Sequence, residues 1–214
     1  MAADILRLLD YLAIYEPVHL VGHDIGGMIA YAFAARYPQR TRSVIWGECP
    51  LPGTSVYDED RSTHGIQQFH FWFHSVVDLP EALVAGREMT YLNHFFAKLS
   101  YNASAIAEPD LDYYAKMYGR PGALRCAFNL YRSFAKDAEE NLEWVAAHGK
   151  CKVRALGLSG AKSRHKETAE RMLAEVHESG TFTVAEVAES GHYIAEENPS
   201  QFCDIILRFI AQND

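Results

Sequence analysis

Apolar residues near the start of the chain recur at the spacing of one face of an α-helix. They are Ile5, Leu8, Leu9 and Leu12. After Pro17, a short apolar run at 18–21 ends at a glycine, and a second helical pattern covers 25–37. Because proline ends a helix and a short apolar run between turn residues is typical of a strand, this region predicts helix, strand, tight turn, helix.

Three further apolar runs, at 43–46, 153–158 and 181–187, are predicted to be strands. Two helical patterns follow the last two runs, and their apolar positions are Ala169, Met172, Leu173 and Val176, then Phe202, Ile205, Ile206, Phe209 and Ile210. Strands that alternate with helices are typical of a parallel sheet covered by helices. The predicted fold class is therefore α/β, with a mostly parallel sheet.

Between the apolar runs at 43–46 and 153–158 the period changes to aromatic-rich helical stretches without a convincing strand. We expect this segment to form a helical cap inserted above the sheet. The predicted organisation is an N-terminal part of the core at 1–52, a cap at 53–150 and a C-terminal part of the core at 151–214. The stretch 50–61, with its prolines, glycine and acidic cluster, is predicted to be a linker.

Composition narrows the classes of partner. A chain of 214 residues, 49% of them hydrophobic, can bury a substantial core, and its net charge of −8 with scattered basic residues argues against nucleic acid. No run approaches the roughly 18 apolar residues of a membrane span, and no basic leader is present, so we expect a cytoplasmic protein without a membrane partner. Neither the four cysteines nor the ten histidines show a metal-ligand spacing, so no metal is expected. A small organic substrate fits best.

The residues 22–27 read Gly-His-Asp-Ile-Gly-Gly and lie at the predicted turn from strand to helix. Small residues around an acidic apex are typical of a nucleophile elbow, in which the apex backbone is strained and the helix passes close to its strand. The alternative is that Asp24 only caps the helix, a role that aspartate performs well. His192 in Ser-Gly-His follows the last strand and Glu48 follows the second, so the carboxyl ends of parallel strands bring all three to one sheet edge.

These residues resemble the epoxide hydrolases and dehalogenases of the α/β-hydrolase superfamily. The resemblance covers nearly the whole chain and rests on the elbow at 22–27, on Ser190-Gly191-His192, and on the aromatic cap between them. It implies that Asp24 attacks an sp3 carbon to form an alkyl ester, which water activated by His192 then hydrolyses. The N–H of Ile25 would donate to the oxyanion, and the chemistry needs no cofactor.

The acid that orients the histidine departs from the common family pattern. In much of the superfamily an aspartate follows the penultimate strand, but here 158–165 contains no carboxylate. Some dehalogenases supply a glutamate after the strand that follows the elbow, which is the place of Glu48. The resemblance therefore implies an Asp24, His192, Glu48 triad, with a solvated turn residue as the other interpretation of Glu48 and Glu189 as a weaker candidate.

Cap residues suggest how the substrate is held. His70 and Tyr131 resemble the His/Tyr pair with which some bacterial epoxide hydrolases donate to the epoxide oxygen, and the alternative is that both only pack inside the cap. His23 and Trp72 complete the substrate-binding candidates. Phe71 stands where fluoroacetate dehalogenases have tryptophan, and a ring without N–H cannot donate to halide, so an epoxide is favoured over a haloacid or haloalkane.

Enzymes of this family carry several strands and a His-Gly loop before the elbow, and we expect these to be absent here. Loss of the second oxyanion donor would cost about 3 kcal/mol, or roughly a hundredfold in rate. The strand at 18–21 would then be an edge strand with unpaired backbone groups. Such an edge can pair with a second copy of the chain, so a homo-oligomer is one expectation. The main alternative to an enzyme is thus a catalytically impaired remnant that binds ligands. A serine-type esterase is disfavoured because the apex is aspartate.

Overall fold

The computed structural model describes residues 1–213, and its centre is a parallel sheet of four strands. The strands are β1 (Val18–His23), β2 (Thr41–Gly47), β3 (Arg154–Gly160) and β4 (Phe182–Val187). They pair in chain order, β1-β2-β3-β4, and every pair is parallel. All four lie where the apolar runs predicted strands. Residue 214, the last of the predicted C-terminal segment, lies outside the described residues.

Helices precede, separate and follow the strands. They are α1 (Ala2–Tyr11), α2 (Ile25–Arg36), α3 (Ser55–Thr63), α4 (Phe69–Ser75), α5 (Leu79–Val84), α6 (Glu88–Leu99), α7 (Glu108–Tyr118), α8 (Ala123–Arg132), α9 (Phe134–His148), α10 (Lys166–Val176), α11 (Ile194–Glu197) and α12 (Pro199–Ala211). The seven helices α3–α9 between β2 and β3 are called the helical segment below. The predicted α/β class with helices inserted in a parallel sheet is confirmed.

The two faces of the sheet bury separate apolar clusters because side chains alternate along a strand. In β2, Val44 and Trp46 belong to the cluster formed with α2 and α10, whereas Ile45 belongs to the cluster formed with α11 and α12. All three are at most 1% exposed. This double burial fixes the register of β2, and with it the position of the residues that follow its end.

The predicted linker at 50–61 is wrong in its second half, because α3 begins at Ser55. The hydroxyl of Thr54 accepts from the N–H of Tyr57 and caps the helix. Val56 and Tyr57 are at most 3% exposed. Burial of these side chains outweighs the acidic and polar composition that indicated a linker.

The strand β1 forms one edge of the sheet, as expected, and pairs among the described residues with β2. Val21 is 48% exposed on this edge. Arg40 ties the preceding segment to the core, since its guanidinium donates to Asp10 Oδ1 at 2.9 Å and to the carbonyl of Ile14 at 2.7 Å.

Across residues 1–213, no helix combines the length and apolar character that crossing a membrane requires.

Candidate active site

Asp24 stands at the apex of the turn between β1 and α2 in a strained backbone conformation. Its φ is 52° and its ψ is −127°, a region that side chains other than glycine rarely adopt. The N–H of Asp24 donates to the carbonyl of Gly47, the last residue of β2, at 3.1 Å, which ties the apex to the neighbouring strand. A Cβ at position 22 would lie 2.2 Å from the carbonyl oxygen of Gly26, so only glycine lets the helix pass this close to its strand. The predicted elbow is therefore present.

The elbow carboxylate meets an imidazole and a second carboxylate. His192 Nε2 lies 3.3 Å from Asp24 Oδ2, and His192 Nδ1 lies 3.1 Å from Glu48 Oε2. The Glu48 side chain is fully buried, the His192 side chain is 11% exposed, and the Asp24 side chain stays 41% exposed where it opens onto a cavity. The structure thus brings together the three residues that the sequence proposed as a triad.

Two donors from the end of β3 and the turn that follows it fix the Glu48 carboxylate. The N–H of Gly160 donates to Oε1, and the hydroxyl of Ser163 donates to Oε2, each at 2.8 Å. Glu48 itself has a φ of 57°. The segment that lacks the usual acid therefore supplies the hydrogen bonds that hold the substitute acid in place.

The two carboxylates dominate the protonation of His192. Burial alone would lower its pKa, but hydrogen bonds to Asp24 and Glu48 and their negative charges outweigh burial and raise the pKa to about 10. Burial alone would raise the pKa of Asp24, yet its hydrogen bond to His192 and the charge of that ring lower it to about 2. At neutral pH Asp24 is therefore a carboxylate and His192 an imidazolium, and the imidazolium lies between Asp24 and the buried Glu48 side chain.

His23, next to the apex, reaches across to the loop that carries His192. Its Nε2 lies 2.7 Å from the carbonyl oxygen of His192, and because a carbonyl only accepts, this nitrogen carries the proton. The two rings are 4.7 Å apart between centroids. Burial and the nearby His192 lower the pKa of His23.

Glu197 anchors the same loop and was missed by sequence reasoning. Its Oε1 accepts from the N–H groups of Gly191 and Tyr193, at 3.0 and 3.1 Å. Its Oε2 accepts from those of Tyr101 and Asn102, at 2.7 and 2.8 Å. One carboxylate therefore joins the His192 loop to the chain that leaves α6.

Above Asp24 lies a cavity of about 350 Å³ between the sheet edge and the helical segment. Its lining includes Asp24, His192, His23, His70 and Tyr131. The rings of His70 and Tyr131 meet edge to face, 5.7 Å apart between centroids. Burial is the main cause that lowers the pKa of His70 to about 4 and raises that of Tyr131.

Trp72 does not reach this cavity, which corrects the expectation from the sequence. Its ring is 51% exposed and lies under the guanidinium of Arg61, 4.5 Å from ring centroid to Cζ. Residues two apart on a helix point about 200° away from each other, so α4 cannot direct both His70 and Trp72 inward.

Ile25 is the first residue of α2, directly after the apex. Its N–H therefore has no acceptor within the helix and is available to a group bound at Asp24.

The residues that are close enough to share a metal ion are Glu48, His165 and His192, whose ligand atoms lie within 4.8 Å of one another. Two of them are already hydrogen-bonded to each other. His165, whose pKa burial lowers to about 4, lines a second cavity of about 210 Å³ beside the triad.

Comparison with known proteins places this chain in a family. The sequence model of the alpha/beta hydrolase family matches residues 1–205, and the chain therefore belongs to that family.

Among its relatives are epoxide hydrolases. Epoxide hydrolase 4 of Mus musculus is 26% identical over 219 residues, which cover 99% of this chain and 58% of that protein. The soluble epoxide hydrolase of Corynebacterium sp. (strain C12) is 27% identical over 216 residues, which cover 99% of this chain and 72% of that protein. The chain thus spans 58% of the mouse relative's length.

Solved structures share the architecture. Wild-type Cfl2 from Burkholderia cenocepacia superposes with a TM-score of 0.88 at 31% identity, over 97% of this chain and 70% of that one. The epoxide hydrolase CorEH without ligand superposes with a TM-score of 0.87 at 23% identity, over 99% and 73%. At that lower identity the likeness concerns the fold alone.

Proposed function

We propose that this chain carries the reacting groups of an epoxide hydrolase, in which Asp24 opens the epoxide and His192 activates water to release the diol. The observation that carries the proposal is the chain of contacts from Asp24 through His192 to Glu48 at the floor of an aromatic cavity. The similarity to relatives named epoxide hydrolases supports it. The helical segment serves as the cap, and residues 1–52 and 151–213 form the two parts of the core.

In the first step an Asp24 oxygen attacks one epoxide carbon, and the C–O bond of the ring breaks. The electron pair goes to the ring oxygen, which takes a proton from Tyr131 while His70 lines the same site. An alkyl ester of Asp24 and a free hydroxyl result. The carboxylate is ionised without help, because the pKa of Asp24 is about 2.

Ester formation prepares the base for the second step. It removes the negative charge of Asp24, one of the two charges that hold the proton on His192, so the pKa of His192 falls from about 10. The proton then passes through the cavity to the Tyr131 oxygen, and His192 becomes neutral. The base is thus released only after the intermediate has formed.

In the second step neutral His192 takes a proton from water, and the hydroxide attacks the ester carbonyl of Asp24. The N–H of Ile25 donates to the oxyanion, and Glu48 stabilises the imidazolium. Collapse breaks the bond to the alkyl oxygen, which takes the proton from His192 and leaves as the second hydroxyl of the diol. The carboxylic acid formed at Asp24 then gives its proton to His192, so the carboxylate and the imidazolium are restored and one water has been consumed.

A dehalogenase would use the same ester, but it needs N–H donors for the halide. Trp72 lies outside the cavity and Phe71 has no N–H, whereas an opening epoxide needs a proton donor such as Tyr131. The geometry therefore favours an epoxide.

Intact mass spectrometry of the protein with an aryl epoxide tests the proposal. We expect His192→Ala to accumulate the mass of one epoxide, mapped to the peptide that contains Asp24, and Asp24→Asn to gain none. In ¹⁸O-labelled water, single turnover by wild type should place the label in Asp24 rather than in the diol. Unmodified His192→Ala across a varied epoxide panel would overturn the proposal in favour of a binding remnant. Label in the diol alone would overturn the ester mechanism, because it would show that water and not Asp24 attacks the epoxide.

A further inference from the structure

The charged side chains that line the cavity above Asp24 are acidic, apart from the imidazolium of His192, which is already paired with Asp24 and Glu48. Besides Asp24, the lining contains the carboxylates of Glu88 and Glu196, and neither lysine nor arginine is among its lining residues in the described part of the chain. A group bound in the cavity therefore meets Glu88 and Glu196 in addition to the Asp24–His192 pair, with no lysine or arginine among the described lining residues to offset their charges.

Both added carboxylates have little to neutralise them. Glu88 Oε1 accepts from the N–H of Gly86 at 3.0 Å. Glu196 Oε1 accepts a hydrogen bond from the hydroxyl of Tyr114, and its Oε2 is buried with no partner among the described residues. Neither carboxylate forms an ion pair within residues 1–213, so their charges act on whatever occupies the cavity.

The remaining wall is aromatic and aliphatic. It is built from Leu92, Phe95, Phe96, Leu124, Phe128 and Tyr193. A volume of about 350 Å³ falls at the lower end of the range of small-molecule pockets. Shape and polarity thus suit one compact hydrocarbon arm attached to the reacting carbon.

Basic residues gather instead at the second cavity, and each is already engaged. Arg164 makes a two-point ion pair with Asp60, and Lys98 donates to the carbonyl of Gln67 at 2.7 Å. Lys162 pairs with Glu189 at 3.7 Å. These cations line the second cavity and are not among the residues that line the aromatic cavity.

We infer that the site selects epoxides whose arm is an uncharged aryl or alkyl group and discriminates against substrates with a carboxylate, including epoxy acids and haloacids. The inference rests on the proposed function for the reacting group, but the selection arises from Glu88 and Glu196. Repulsion from these carboxylates, added to the loss of water around an anion, sets the preference.

A matched pair of epoxides measures the selection. We expect kcat/KM for styrene oxide to exceed that for its para-carboxylate analogue by tenfold or more. Glu88→Gln and Glu196→Gln should each reduce this ratio, and the double variant should reduce it further. The control Glu178→Gln, which removes a surface charge paired with Lys152, should leave the ratio as in wild type. A ratio near one in wild type, or a ratio that neither cavity variant changes, overturns the inference.

Binding separates this inference from the proposed function, because it requires no turnover. By calorimetry, 3-phenylpropanamide should bind at least tenfold more tightly than 3-phenylpropanoate at neutral pH, and Glu196→Gln should narrow the difference. If no epoxide is hydrolysed but the amide preference holds, the proposed function fails and the selection stands. Equal affinities, or binding of neither ligand, overturn the selection.

Discussion

His192 Nδ1 lies 3.1 Å from Oε2 of Glu48, a residue that follows the strand next to the one that carries Asp24. The acid therefore directly follows β2, and its donors are Gly160 at the end of β3 and Ser163 in the turn after β3. A buried carboxyl group with two such donors is held in one orientation, which is what a partner that orients an imidazole requires.

Replacement of Glu48 by glutamine should slow ester hydrolysis much more than ester formation. Without its charge the pKa of His192 falls from about 10, and the imidazolium formed during ester hydrolysis loses its partner. We expect ester hydrolysis to slow on the order of a thousandfold while ester formation persists. Rapid-quench mass spectrometry would show the Asp24 ester accumulating, and NMR titration would report the His192 pKa.

Ser163→Ala is the matched control for this prediction. It removes one donor at 2.8 Å from Glu48 and keeps the charge, so hydrolysis should slow by about tenfold or less. Equal losses in Glu48→Gln and Ser163→Ala would show that Glu48 acts only through local packing.

Alanine substitutions at Gly22 and Gly26 test how tightly the elbow is packed, because the two glycines differ in the space around them. In Gly22→Ala the new methyl group would lie 2.2 Å from the carbonyl oxygen of Gly26, so the chain must shift, at a cost of about 3 kcal/mol of unfolding free energy. Gly26→Ala meets nothing within 4 Å and replaces glycine within α2, where alanine is favoured by up to about 1 kcal/mol. Urea unfolding of both variants checks the expected opposite signs, and equal stabilities would contradict the packing seen at the elbow.

The four strands and the elbow can be predicted from local sequence patterns alone. The four apolar runs predict β1–β4 because a strand of a doubly covered sheet needs apolar side chains on both faces, and the elbow follows from small residues around Asp24. Parallel pairing then places the strand ends together. Strand periodicity and turn chemistry are local properties, so one sequence suffices to predict them.

Features that depend on contacts between residues far apart in the sequence could not be predicted from the sequence. The donors to Glu197 include Tyr101 and Asn102, which lie between α6 and α7 and are 96 and 95 residues away in the sequence, and no local signal distinguishes Glu197 from Glu196. The α3 helix was predicted as linker because its composition is polar, although the burial of Tyr57 decides its structure. Trp72 was expected in the substrate site but lies outside it. The face that α4 turns toward the cavity depends on its packing against α8, which the sequence alone does not show.

Glu197→Gln should loosen the loop that carries His192. The glutamine amide nitrogen would face two N–H groups in place of an accepting oxygen, so two charge-assisted hydrogen bonds are lost at a combined cost of about 2 kcal/mol. For a chain of this length the melting temperature should fall by about 6 °C. Calorimetry measures the shift, and kcat should fall with it because His192 is no longer held.

The control for Glu197 is Glu189→Gln. That side chain is 67% exposed and pairs with Lys162 at 3.7 Å, and such exposed pairs contribute little. Its melting temperature should stay within about 2 °C of wild type. A similar small shift in Glu197→Gln would mean that the four backbone donors find other acceptors.

Acid should destabilise the fold between pH 6.5 and 5 through buried neutral histidines. Burial lowers the pKa of His74 to about 3 and that of His177 to about 4, and these residues are 5% and 1% exposed. Because the unfolded chain takes up protons near 6.5 and the folded chain does not, stability falls as pH drops below 6.5, by about 1.4 kcal/mol per pH unit for each such histidine. His192 does not contribute in this window, because its raised pKa leaves it protonated in both states below 6.5 and its stabilisation is lost only as pH rises toward 10. Urea midpoints at pH 5, 6 and 7 measure the slope, which His74→Phe should reduce by one histidine's share; a flat or inverted profile would contradict the burial of neutral imidazoles.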